Sequence, residues 1–188
     1  MKTCNLKAAL KCVSRQALRP ELETVCVEFA DDKIYVVGSD GVVLFASVED
    51  NHGEITSGTV LIPMAVAALA LKNNVKSETI RLGMELGVLM LGNIRFTDTG
   101  AKYRDWRRVV PQTLSGVAGH FDPALLVRVH GAIDIANGAA ESSVLHQNGN
   151  HAAIVRGVSP DAICVVMPLR VGNIFDWIPV KHFMWAEK

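Results

Sequence analysis

An α+β fold, with antiparallel strands backed on one face by helices, is what this 188-residue sequence predicts, on three observations. Apolar residues recur at helical spacing in three separate stretches. Each stretch is followed by short apolar runs with the alternation of half-buried strands, set off by glycines and acidic pairs. The whole helix-then-strands unit repeats with a period of about sixty residues.

In the first unit, Leu6, Ala9, Leu10, Val13 and Ala17 share a helix face, and Pro20 stops that helix because it has no amide to donate. Val25, Val27 and Phe29 then alternate with polar neighbours, Asp31-Asp32 turns the chain, and residues 34–37 and 42–48 form the returning strands. The second unit opens at Ile62-Pro63, with proline at the first helical position, and its helix continues through 65–72. Strands follow at 79–84, 88–91 and 94–97. The third helix has Asp122 as N-cap and Pro123 at its first position, with Leu125, Leu126, Val129 and Ile133 on one face. Residues 143–147 and 151–156 read as a hairpin about Asn148-Gly149, a pair suited to a two-residue turn. Residues 162–167 are the last strand. These units divide the chain into a complete two-half domain at 1–112 (halves of about 1–55 and 56–112), a half-domain at 113–171, and an apolar tail at 172–188.

Composition excludes several function classes. Apolar residues make up 49% and charged residues 20%, as in globular proteins, and nineteen basic residues balance nineteen acidic ones. Net charge therefore offers no argument for nucleic-acid binding, which would need the cations gathered on one face. The sequence has neither a membrane-length apolar run nor a signal peptide, and its four cysteines form no C-x-x-C pair, so a reduced cytoplasmic protein is expected. No nucleophile–base, phosphate-loop, dinucleotide or zinc motif is present, so neither enzyme activity nor a cofactor is expected. Gly38-Ser39-Asp40-Gly41 joins two strands and is a turn rather than a nucleophile elbow. His146 and His151 flank the Asn-Gly turn, but two histidines alone make a poor metal site.

Three segments carry the functional signal: Val37-Gly38-Ser39-Asp40-Gly41, Tyr103-Arg104-Asp105-Trp106-Arg107-Arg108-Val109-Val110-Pro111, and Val165-Val166-Met167-Pro168-Leu169-Arg170. By composition alone, the last is a buried strand and Trp106 with Val109-Val110 is ordinary core. Together with Arg19-Pro20 and Leu61-Ile62-Pro63, however, their order and spacing resemble the bacterial replicative sliding clamp, the beta subunit of DNA polymerase III. The resemblance covers roughly residues 5 to 171. It implies the sliding-clamp fold in truncated form: the middle domain plus the final half of the last domain. It also implies a groove for the short leucine- and phenylalanine-bearing peptides of polymerases and repair proteins. Ser39, Gly41, Leu44, Arg108, Val109, Val166, Met167, Pro168, Leu169 and Arg170 would line that groove. The chain departs from the family at Val42-Val43, where a His-Arg pair is usual, and at Arg104, where proline is usual. These changes make the groove more apolar and remove donors.

The resemblance also places helices around DNA. Lys7, Lys11 and Arg15 recur every four residues opposite the apolar stripe of the first helix, a row suited to phosphate contact, although a solvated face has the same pattern. Residues 64–70 carry no charge, and the third helix offers only Arg128 and His130, so contact with double-stranded DNA is expected to be weak unless a ring encircles it. Three halves leave one without its domain partner. A homo-oligomer of four chains would complete a ring's dozen halves. The tail, with Ile174, Phe175, Trp177, Ile178, Val180, Phe183, Met184 and Trp185, would serve as a packing or oligomer element in preference to a groove ligand. The expected role is a small processivity or recruitment factor in DNA replication or repair. The alternatives are a decoy that competes for a host clamp's partners, or a relic whose groove its own tail fills.

Overall fold

A computed structural model describes residues 1–14, 19–52, 55, 57–138 and 143–170, in two antiparallel sheets with helices on one side. Arg15, Ala17 and the tail 172–188 lie outside the described residues. The fold is α+β, as expected. Helix α1 (Thr3–Cys12) buries Leu6, Ala8, Ala9 and Cys12 against the sheet. It ends a turn earlier than its apolar spacing suggests, because the Ser14 amide bonds the Leu22 carbonyl rather than continuing the helix.

Strands β1 (Thr24–Ala30), β2 (Lys33–Ser39) and β3 (Val43–Asp50) form the expected meander. Strand β4 (Gly58–Pro63) pairs along β1 and was not anticipated. Its Val60-Leu61-Ile62 run is short and ends in a proline that the sequence reads as a helix start. Pro63 serves both elements: it occupies the last strand position, where no further ladder donor is needed, and it precedes α2 (Met64–Asn73). A small second sheet follows, of β5 (Leu82–Glu85), β6 (Val88–Leu91) and β7 (Ile94–Phe96).

Helix α3 (Pro123–Asn137) starts as the sequence predicts. The Asp122 carboxylate accepts the Ala124 amide at 2.8 Å, and Gly138, at φ 72°, closes the far end in the left-handed conformation. The hairpin β8 (Val144–His146) and β9 (Ala153–Arg156) forms, but not through a two-residue turn. Asn148 is drawn off instead to tie down the linker: its Oδ1 accepts the Ser115 amide at 3.0 Å, and its amide group donates to the Ala152 carbonyl. His146 consequently lies opposite Ile154 and does not face His151.

The last strand, β10 (Ala162–Val166), pairs antiparallel with β3 as well as β9. The large sheet therefore runs β4-β1-β2-β3-β10-β9-β8 and unites the first and third sequence units. On its helix side lies the main core, including Leu6, Val27, Val43, Phe45, Val129, Ile133, Cys164 and Val166. On its other side lies a smaller cluster of Cys26, Val37, Leu44, Ala46, Leu61 and Val165. All four cysteines are free. Burial, and next the neighbouring Cys12 thiol, push the Cys164 thiol well above its ordinary value.

Helix α1 sits so close to β2 that a Cβ on Gly38 would stand 2.1 Å from the Ala9 carbonyl oxygen. Backbone cannot yield as a side-chain tip does. Gly38→Ala is therefore expected to cost roughly 3 kcal/mol by overpacking, a loss of about 6–12 °C in thermal midpoint. A thermal melt followed by circular dichroism checks it, and an unchanged midpoint would show that the helix can lift freely.

Candidate peptide-binding surface

The sheet face away from the helices gathers side chains from all three signal segments. Leu44 and Val165 are register partners across β3 and β10. With Val37, Cys26, Ala46 and Leu61 they form a buried apolar floor, against which Tyr103, Trp106, Val110 and Ala152 pack as half-buried neighbours. Strand alternation explains the selection: odd positions 43 and 45 of β3 turn to the helices, while 44 and 46 turn outward.

One end of the floor is bounded by the turn 39–43, which two side chains build. Ser39 Oγ accepts the Gly41 amide at 3.1 Å and donates to the Val43 carbonyl at 2.7 Å. Asp40 Oδ1 accepts the amides of Val42 and Val43, each at 2.8 Å, while its other oxygen is ion-paired with Arg128 of α3. Gly41, at φ 91°, supplies the positive backbone angle the turn requires. The Met167 amide donates to the Val42 carbonyl, which brings the third segment to this turn.

The middle segment lies across β1 and β2. Trp106 and the residues to Val109 form a single 3-10 turn, started by Asp105, whose carboxylate accepts the Arg107 amide at 3.2 Å. Arg107 makes a bidentate pair with Glu28 of β1, both bonds 2.9 Å, and the Trp106 indole donates to the same carboxylate at 3.2 Å. The guanidinium lies 4.8 Å from the Tyr35 ring centroid and 4.4 Å from that of Trp106. Arg107, and to a lesser degree the Trp106 indole, hold the Glu28 carboxyl below the usual glutamate range against the opposing effect of partial burial. Beside this segment a cleft of about 680 Å³ runs between Cys26, Leu61, Asp98 and Tyr103. Burial pushes the Cys26 thiol up to about 12 and the Tyr103 hydroxyl higher still.

The predicted lining residues divide three ways. Val109, Met167 and Leu169 are exposed at 46%, 41% and 48%, and Arg108 and Arg170 are exposed beside them. Gly41 is exposed in the turn, and Pro168 is half-buried. Arg108 pairs with Asp105, and the Leu169 amide bonds the His120 carbonyl of the linker. Ser39 and Leu44 are buried, the first as turn framework and the second as floor. Val166 requires correction: it is fully buried in the helix-side core, and Val165 is the strand residue that turns toward this face. Sequence reasoning does not single out the anchor Glu28, although the alternation of β1 puts Glu28 on the same face as Cys26.

No family model matches the sequence, and no curated protein matches it. Solved structures do. The DNA polymerase III subunit beta of Pseudomonas aeruginosa superposes with a TM-score of 0.71 at 16% identity, covering 90% of this chain and 63% of that one. The Helicobacter pylori beta clamp bound to a DNA ligase peptide gives 0.71 at 11%, with the same coverage. The beta subunit of Thermotoga maritima gives 0.68 at 13%, covering 92% and 65%. This chain has the sliding-clamp fold. It spans slightly under two-thirds of the length of these clamps.

Set in the clamp fold, the two valines at the His-Arg position separate. Val43 turns into the helix-side core, and the exposed Val42 lines a cleft with Leu10, Val13 and Val127 beside α1 and α3. On the helix side, Lys7 and Lys11 are exposed on α1, with the Lys11 side chain lying against Gly131 of α3. The outer face of α2 presents Ala65, Ala68 and Leu69 to solvent. No described helix is long and apolar enough to cross a membrane. No described cluster of acidic, histidine or cysteine side chains is arranged to hold a metal.

Because the folded Glu28 carboxyl lies below its ordinary value of 4.5, the pair adds stability above that pH and loses it as pH falls through the depressed value. The thermal midpoint of Glu28→Gln is thus expected to lie roughly 2–4 °C below that of the native protein near neutral pH. The gap should close in acid. Melts at pH values from about 7 to 3 test this, and a gap that stays constant would remove Glu28 as its source.

Proposed function

We propose that this chain is a clamp-type binding protein that takes a short apolar peptide, one bearing leucine and phenylalanine anchors, on the outer face of its large sheet. The observation that supports this most directly is the meeting of the three segments on one apolar floor. In the same segments, Val109, Met167 and Leu169 leave apolar surface in water, with the cationic Arg108 and Arg170 next to them in the chain. Desolvating a few anchor side chains on such a surface supplies most of a peptide's affinity. The H. pylori clamp bound to a DNA ligase peptide is a fold neighbour, and it supports the same class of partner here. In this role the chain recruits replication or repair proteins, and a homo-oligomeric ring would make it a processivity factor.

A second function, without DNA contact, is favoured by α2. The solvent face of that helix is Ala65, Ala68 and Leu69, with Lys72 near its end, and it offers phosphates little. Such a protein would present the groove alone and compete for a host clamp's partners.

Titration of a labelled leucine/phenylalanine peptide tests the first function. Binding is expected in the micromolar range. Met167→Glu should weaken it by about tenfold or more, because an exposed anchor contact is replaced by a charge. Since Met167 is exposed, that variant should keep its thermal midpoint. Leu44→Lys is the contrasting case: it buries a charge in the floor and should destabilise the fold itself by several kcal/mol, on the order of 3–5. Absence of peptide binding by the native protein ends the proposal.

Short duplex DNA separates the two functions. With Lys7 and Lys11 as the exposed cations of α1, weak binding with a salt slope of about −2 for each chain in the ring is expected of a DNA-encircling protein. If neither the native protein nor a Lys7→Ala/Lys11→Ala double variant binds duplex, the adaptor without DNA contact stands, whereas duplex binding that the double variant keeps would place the contact away from α1. Solution mass decides between a ring and a smaller assembly.

A further inference from the structure

We infer that Glu28 and Arg107 are positioning residues for the peptide surface, and that one carboxylate sets where its middle wall stands. This rests on the peptide-binding function proposed above. The argument begins with what holds the segment carrying Arg108 and Val109. That segment belongs to no strand ladder, and its described backbone bonds are local: Arg108 to Asp105 and Val110 to Arg107. Local bonds give the turn its shape but do not fix its place on the sheet.

Tyr103, Trp106 and Val110 pack on the apolar floor, and what orients the turn there is three hydrogen bonds that all end on Glu28, two from Arg107 and one from the Trp106 indole. Glu28 stands opposite Tyr35 in the β1–β2 register, and the Tyr35 and Trp106 rings lie 5.9 Å apart with the guanidinium against both. A planar fork facing a carboxylate between two rings admits one orientation, which a lysine or a single bond would not enforce. Arg108 and Val109 directly follow this anchor, so they inherit its position. Val109, 46% exposed, is then presented to solvent directly after the anchor. A preformed wall spares the peptide the entropy of ordering it.

The test is a peptide titration of native protein, Glu28→Gln, Arg107→Lys and their double variant, at a temperature well below every thermal midpoint. Each single change should raise Kd about tenfold with unaltered far-ultraviolet circular dichroism, and the double should bind no worse than the weaker single, since both remove one anchor. If the folded Glu28→Gln and Arg107→Lys variants both bind within about twofold of native, the pair is merely structural and the inference falls. Should Glu28→Gln fail to fold, Arg107→Lys is judged by the same criterion. Met167→Glu separates the levels. Binding lost in Met167→Glu but kept in the two anchor variants overturns only the positioning role, whereas no binding by native protein overturns the peptide site and this inference together.

Discussion

The pairing of β3 with β10 joins strands more than a hundred positions apart in sequence, and the rest of the molecule is arranged around that seam. It is built of backbone hydrogen bonds, with a buried side chain from each strand turned to each face. Val43, Phe45, Cys164 and Val166 lock into the helix-side core, while Leu44 and Val165 make the floor of the other face. Bringing such distant segments together costs loop-closure entropy, which grows only slowly with length and is offset by the apolar area both faces remove from water. The seam also carries α3 against α1 and the Met167–Arg170 segment to the turn at Gly41. Without it the outer face would have a middle wall and no end wall.

The two faces of this sheet are held by different physics. Helices cover one side with small residues in close contact, as at Ala9 and Gly38, where shape alone sets the fit. Among the described residues, no α-helix covers the other side. Its cover is an irregular segment whose apolar side chains pack on the floor and whose position depends on charge and hydrogen bonding at Glu28. Polar anchoring suits a functional surface, because it specifies one placement while leaving neighbouring apolar side chains in solvent. The Asp40–Arg128 pair does comparable work at the other end, tying the exposed turn to α3.

Electrostatically the helix side is restrained. Lys7 and Lys11 make a short cationic row on α1, whereas α2 turns alanines and a leucine outward. A chain with balanced charge and few cations on this side is a poor match to a phosphate backbone by itself. On the third segment, the exposed Met167 and Leu169 stand beside the exposed Arg170.

Local pattern carried most of the architecture. Helical spacing, the Asp122-Pro123 start of α3 and the alternation in β1 to β3 are short-range preferences that tertiary packing does not oppose, so they could be read directly from the residues. The early end of α1, the strand β4 and the Asn148 loop could not. Each turns on a bond to a distant partner: the Leu22 carbonyl, the edge of β1, and the linker at Ser115. The same division holds at the candidate site. The family resemblance that the three segments carry, rather than their composition, named most of their exposed members. Which of Val165 and Val166 faces outward depended on the register with β3, because a one-residue shift exchanges the faces of a strand. Glu28 escaped notice for a related reason. In the sequence it is one carboxylate in an alternating strand, and only the folded chain sets Arg107 and Trp106 against it, seventy-eight or more positions away.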